Sequence, residues 1–192
     1  MGKIVSSFFI SLDGVVEAPD QWHFPYFNEE MGAAIGKSAE TVEAFLMGRV
    51  LYEEWASYWP ESDDEPFASF FNNTPKYVVS RTLKDPTWNN TTVISGDVAS
   101  RIQELKDGIK RDIGMSGSAT LVRWLLANGL LDQLNLMVHP IAVGKGQRLF
   151  EDTPTHPLRL VSQEVFSTGV LNLGYMPAEV EGNGGDEGDE GG

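Results

Sequence analysis

Apolar residues along this chain fall into short continuous runs and into runs spaced by three and four, and the two kinds alternate. Lys3 to Leu12 (K-I-V-S-S-F-F-I-S-L) is rich in β-branched and aromatic residues. It predicts a mostly buried strand ending at the turn signal Asp13-Gly14. Glu43 to Met47, Lys76 to Ser80, Thr92 to Ser95, Ile113 to Met115 and Leu134 to Val138 predict further strands. Asn28 to Gly36 predicts a helix with Asn28 as cap and Glu29 and Glu30 in the first turn. Arg49 to Trp59 predicts a helix whose apolar face carries Leu51, Trp55 and either Tyr58 or Trp59. Asp63 to Phe71 reads as a short helix, and Val98 to Leu105 as an amphipathic one capped by Asp97. Gly144 to Phe150 is glycine-rich and reads as a mobile connection, and Leu158 to Phe166 with Val170 to Met176 predicts a hairpin around Ser167-Thr168-Gly169. Early alternation and late local pairing predict an α/β domain with a mainly parallel sheet and an antiparallel C-terminal hairpin.

The unit that organises the rest is Asp112 to Leu126, D-I-G-M-S-G-S-A-T-L-V-R-W-L-L. A short apolar strand leads through Ser116-Gly117-Ser118 into a helix on which Leu121, Val122, Leu125 and Leu126 recur at helical spacing. Ser118 is placed as the N-cap, its hydroxyl accepting a first-turn amide. Gly117 permits close approach of a ligand to the backbone. Such a turn presents free amides to an anion, usually a phosphate. An ordinary strand-to-helix connection capped by serine fits these residues as well.

Charge and composition narrow the function. The net charge of −14 is partly local, because Glu179, Glu181, Asp186, Glu187, Asp189 and Glu190 fall in residues 178–192 with no base among them. Residues 1–177 hold 14 bases and 22 acids, a net charge of −8, which does not point to nucleic acid or an anionic membrane. The expected organisation is one domain over 1–177 and a disordered acidic Gly-rich tail over 178–192. Cysteine is absent, and His23, His139 and His156 make no zinc pattern. No apolar run is long enough to span a membrane and no leader precedes the first strand, so a cytoplasmic location is expected.

Three features lie at carboxyl ends of predicted strands, where open α/β sheets bind ligands: Gly48-Arg49, Ser80-Arg81 and Ser116-Gly117-Ser118. Two helix starts and two arginines converging there suit a ligand with several phosphates. One helix terminus supplies roughly 0.3–2 kcal/mol, whereas a micromolar ligand needs about 8 kcal/mol. Arginine contacts and an apolar slot must therefore add the remainder. Surface or ion-paired arginines are the plain alternative. Neither the G-x-G-x-x-G fingerprint nor a P-loop occurs. The loop Val15 to Phe27 carries Trp22, His23, Phe24, Tyr26 and Phe27, which either wall a pocket for a flat ligand or form a satellite core beneath the loop.

Ser11-Leu12-Asp13-Gly14, Met47-Gly48-Arg49 with Tyr52-Glu53, Val79-Ser80-Arg81, Ser116 to Leu121 and Gly144-Lys145-Gly146 with Leu149-Phe150 stand in one order along the chain. In that order they resemble the dihydrofolate reductase-like superfamily over about residues 3–177. The nearest branch is the reductase domain of riboflavin biosynthesis and its stand-alone relatives. The resemblance implies a three-layer fold with a mainly parallel central sheet, and NADPH as hydride donor. It places Gly48 and Arg49 at the phosphate end of the cofactor, with Arg49 toward the 2′-phosphate. Ser80 and Arg81 go to the adenosine side, and Ser116, Gly117, Ser118, Ala119, Thr120 and Leu121 to the pyrophosphate. Asp13 and the aromatic residues Trp22, Phe24 and Phe27 border the nicotinamide and substrate.

One position departs from the resemblance. Trp22-His23-Phe24-Pro25-Tyr26-Phe27 is similar to the substrate segment of dihydrofolate reductase, W-x-x-P followed two residues later by an acid, but Phe27 stands where that acid belongs. Reduction of a C=N or C=O bond needs a proton as well as a hydride. Candidate donors are Asp13, Glu17, Asp20, Glu29, Glu30 or a water, with Asp13 first; a turn-forming role for Asp13 fits equally. The leading expectation is an NADPH-dependent reductase of a small pterin- or pyrimidine-like heteroaromatic or a carbonyl substrate. The alternatives are a nucleotide- or pterin-binding module without turnover and a 5-amino-6-(5-phosphoribosylamino)uracil reductase, the latter disfavoured because residues 13–36 hold no Arg or Lys. A homodimer formed through Leu134 to Val138 and the C-terminal hairpin is also expected.

Overall fold

Alternation along single strands decides which layer each side chain joins. In β2 (Val42–Gly48), Ala44 and Leu46 face one side of the sheet while Phe45 and Met47 face the other. The structure, a computed structural model, describes residues 1–178. Seven further strands join β2: β1 (Lys3–Ser11), β3 (Lys76–Val79), β4 (Thr91–Ile94), β5 (Asp112–Ser116), β6 (Gln133–His139), β7 (Leu158–Val165) and β8 (Leu171–Pro177). They form one sheet in the order β4-β3-β2-β5-β1-β6-β8-β7. The first six run parallel, and β8 and β7 add antiparallel at one edge, as the sequence predicts.

Among the described residues five α-helices cover the sheet: α1 (Glu29–Ala39), α2 (Arg49–Tyr58), α3 (Phe67–Asn73), α4 (Val98–Gly108) and α5 (Ala119–Ala127). α4 and α5 bury Ile102, Val122, Leu125 and Leu126 against Ile4, Phe8, Ile113 and Leu134. α2 and α3 pack with Phe45, Met47 and Val78 on the opposite face, and α1 sets Met31 beside Phe9 and Met137. The result is the expected three-layer α/β architecture.

Several elements differ in detail. Pro66 disfavours helical backbone at the residue before it, so α3 begins at Phe67 rather than Asp63. On α2 the innermost side chain is Tyr52, whose hydroxyl accepts from the Trp88 amide at 3.1 Å, while Tyr58 faces solvent. Gly144 to Phe150 is tied down rather than loose. Asp13 accepts from the Val143 and Gly144 amides, Glu17 from the Gln147 amide, and Leu149 is fully buried. β6 lies inside the sheet between β1 and β8, so it offers no free edge; β7 is the edge strand on that side. The tail expected over 178–192 lies, apart from Ala178, outside the described residues. Among the described residues no helix is long and apolar enough to cross a membrane.

Candidate active site

Parallel register brings four strand ends to one rim. Gly48 of β2 is level with Val79 of β3, and Val79 with Ile94 of β4. β5 stops at Ser116, level with Ser7, while β1 continues to Ser11. A cleft of about 1710 Å³ opens along this rim, bounded on one side by Ser7, Phe8 and Phe9. It is the position where open α/β sheets bind ligands.

Three helices start on the cleft, and they differ in how their first amides are met. At α4, Asp97 caps the turn: its carboxylate accepts from the Ser100 amide and hydroxyl, and these bonds lower its pKa. That terminus already holds an anion. At α2 and α5 the capping residues, Gly48 and Ser118, make no side-chain bond to the turn that follows. Ser118 is at the predicted capping position, but its hydroxyl is turned elsewhere. It sits in left-handed backbone (φ 57°), directly after Gly117 (φ 76°), and its Oγ accepts from the Gly48 amide at 2.9 Å. Gly117, Ser118, Ala119 and Thr120 all line the cleft, so the start of α5 borders it. Because the Ser118 oxygen receives the Gly48 proton, its own O–H stays available to a ligand.

The predicted cofactor residues Gly48, Arg49, Ser80, Arg81, Ser116, Gly117, Ser118, Ala119, Thr120 and Leu121 all line this one cleft. Their states differ. Gly48 donates its amide to Ser118, so it serves by shape and not as a free donor. Arg49 pairs with Glu53 through Nη1 at 2.8 Å, one turn along α2, leaving its other guanidinium N–H groups unused. Ser80 Oγ accepts from the Thr82 and Leu83 amides and so shapes its own turn. Arg81 is exposed and makes no ion pair among the described residues.

The predicted substrate residues Trp22, Phe24 and Phe27 do not line the cleft. The loop folds onto the β1–β6 surface instead. His23 stacks flat on Phe9 with ring centroids 4.5 Å apart, and Trp22 meets His139 edge-on at 5.2 Å. For Trp22 and His23 this is the satellite core of the two readings, whereas Phe24 and Phe27 stay exposed. Burial lowers the pKa of both His23 and His139. The aromatic wall of the cleft comes from Trp55, Tyr58 and Trp59, with Val50 and Glu54 on the same helix face. Val16 to Asp20 also line the cleft.

Asp13 is also outside the cleft lining. Its carboxylate accepts from the Ser11 hydroxyl at 2.6 Å and from the amides of Val143 and Gly144 at 3.0 and 2.7 Å. These bonds favour the ionised form and hold its pKa down to about 2. A proton donor needs the opposite shift, so Asp13 is a turn and anchoring residue. Glu30 is likewise committed, to the Ser167 hydroxyl and amide, and its pKa is lowered. Of the proposed donors, Glu17 and Asp20 reach the cleft. The start of α4, Gly96 to Ala99, also lines the cleft, a ligand element absent from the sequence expectations. Its strand–glycine–helix order, Ile94 to Val98, repeats the pattern of the other two helix starts and could have revealed it.

Residues 2–172 match the RibD C-terminal domain. The chain belongs to that family. It is 26% identical over 179 residues to the uncharacterized protein YyaP of Bacillus subtilis (strain 168), spanning 90% of this chain and 94% of that one. Among solved structures, a protein of Shewanella sp. PV-4 assigned to riboflavin biosynthesis superposes with a TM-score of 0.77 at 17% identity, covering 92% of this chain and 99% of that one. The dihydrofolate reductase of Enterococcus faecalis, solved with NADP(H), gives 0.64 at 14% identity over 93% and 98%. The Thermotoga maritima diaminohydroxyphosphoribosylaminopyrimidine deaminase/5-amino-6-(5-phosphoribosylamino)uracil reductase gives 0.64 at 15%, covering 92% of this chain and 57% of that one. These likenesses establish the dihydrofolate reductase-like fold.

Proposed function

We propose that this RibD C-terminal family member is an NADPH-dependent reductase of a small pterin- or pyrimidine-like heteroaromatic or a carbonyl substrate. The observation that carries the reading is the pair of helix starts without side-chain caps, α2 and α5, joined by the Ser118–Gly48 hydrogen bond and flanked by Arg49 and Arg81 on one cleft. Unmatched first-turn amides, a free hydroxyl proton and guanidinium donors are the chemistry a dinucleotide pyrophosphate and a further phosphate require. The first amides of α5 with the Ser118 hydroxyl would hold the pyrophosphate, and Arg49 the 2′-phosphate. Bound NADPH supplies a hydride. The chain supplies orientation through Phe9 and the α2 face, and a proton route through the acids Asp20 and Glu54 that line the cleft.

The decisive experiment is parallel titration with NADPH and NADH, with Arg49→Ala beside the wild type. Tighter binding of NADPH, reduced toward the NADH level by the substitution, supports the assignment of Arg49. Binding of neither dinucleotide removes the reductase reading.

A second reading, a nucleotide- or pterin-binding module without turnover, is favoured by Phe27 and by the ionised, hydrogen-bonded state of Asp13. Sustained NADPH oxidation with any pterin, pyrimidine or quinone substrate eliminates it. A homodimer is proposed through the exposed β7 edge, and a monomeric mass by light scattering at micromolar concentration would exclude it.

A further inference from the structure

We propose that the substrate end of the cleft takes a flat, uncharged or cationic ring that carries no phosphate. The inference rests on the reductase reading for which end binds the dinucleotide. α2 runs from Arg49 along the cleft, presenting Val50, Glu54, Trp55 and Tyr58 to it. A helix advances about 1.5 Å per residue, so Tyr58 stands roughly 13 Å beyond Arg49. Glu17 and Asp20, on the segment that follows β1, line the same cleft. Apart from its two arginines at the strand ends, the cleft therefore combines the aromatic faces of α2 with the carboxylates of Glu17, Asp20 and Glu54.

Cations are missing there. Among the described residues, Arg49 and Arg81 are the only basic side chains lining the cleft, and both sit at the strand ends. Arg123 and Arg148, on neighbouring segments, are committed elsewhere: Arg123 donates to the Arg148 and Leu149 carbonyls, and Arg148 to the Asp13 carbonyl. A phosphate beside three carboxylates and no cation is repelled, whereas a planar cation gains both Coulomb attraction and stacking on electron-rich rings. Val50 and Tyr58, 67% and 55% exposed on this wall, form an apolar strip that a flat ring would cover. The fold has thus kept a nucleotide end suited to phosphates and a substrate end unsuited to them.

The test uses calorimetric titration of the full chain saturated with NADP⁺ at low salt. The probes are riboflavin, FMN, which differs from it by one phosphate, and proflavine, a planar cation. Riboflavin is expected to bind at least about fivefold more tightly than FMN, and proflavine at least as tightly as riboflavin, with the gap closing as salt rises. Lysine at both acidic positions, Asp20→Lys with Glu54→Lys, is expected to reverse the riboflavin–FMN order. Equal or tighter FMN binding by the wild type overturns the proposal, as does a preference untouched by the charge reversal or no binding of any probe. Failure of NADP⁺ to bind would instead count against the nucleotide reading, and the same three probes on the free protein would still decide the charge of the far end.

Discussion

The hydroxyl of Ser118 accepts the amide proton of Gly48 at 2.9 Å, joining two strand-to-helix turns that lie 70 residues apart in the chain. A serine at this position is predicted as a local cap, and it is used as a bridge. Ser118→Ala deprives the Gly48 amide of its partner and removes the free O–H. Stability should fall by about 1 kcal/mol, and NADPH affinity by about tenfold. Ser118→Gly loses the same hydroxyl but is relaxed in left-handed backbone. It should melt above the alanine variant while binding NADPH as weakly. Urea melts and dinucleotide titration of both variants separate the two effects. Wild-type affinity in either variant would show that the hydroxyl does not meet the ligand.

Asp13 gives a signed pH prediction. Its pKa falls from 3.8 to about 2 on folding, so its contribution to stability is present above about pH 4 and is lost as pH drops toward 2. Asp13→Asn should lower stability at neutral pH and flatten the acid side of the stability curve in that window. If Asp13 anchors and does not donate, the pH profile of NADPH oxidation between about 5 and 8 keeps its shape in this variant.

Lys76 is fully buried at the start of β3. Its ammonium donates to the carbonyls of Thr74 at 2.7 Å and Asn72 at 3.3 Å, and lies 4.3 Å from the centroid of the Trp88 ring. Burial lowers its pKa from 10.5 to about 8. Between those values the unfolded chain binds the extra proton, so stability rises as pH climbs through that interval. The gain should be on the order of 3 kcal/mol. Denaturant unfolding at several pH values should show this slope in the wild type and its loss in Lys76→Met.

Tryptophan fluorescence can decide which aromatic group faces the substrate. A flat ligand should quench Trp55 and Trp59 and leave Trp22, packed on His139, little changed. Trp22→Phe should retain most of the ligand-induced quenching, and Trp55→Phe should lose a large part. Quenching that disappears with Trp22 would return the aromatic loop to the site.

The sheet and its ligand rim were legible because they depend on local pattern. The strand run in residues 113–115, the glycine that ends β2 and the Asn28 and Asp97 caps are all written within a few residues of where they act. Aromatic content in Trp22 to Phe27 could not reveal which surface the loop folds onto. That surface is set by Phe9 and His139, contributed by β1 and β6. The hydrogen-bonded commitment of Asp13 was hidden for the same reason. Its partners Val143 and Gly144 lie about 130 residues away, and only the fold brings their amides to its carboxylate. Lys76 was legible as the start of a strand but not as a buried cation.

The place of β1 in the sheet has a consequence for synthesis on the ribosome. Of this sheet's strands it is made first, yet its neighbours are β5 and β6: Lys3 pairs with Asp112 and Val5 with Gln133. At roughly 5–20 residues per second, translation leaves this apolar strand without either partner for on the order of ten seconds. During that interval Phe8, Phe9 and Ile10 need shelter from the exit tunnel, from a chaperone or from transient contacts of their own. Chains stalled between β4 and β5 should therefore be the species most prone to aggregate.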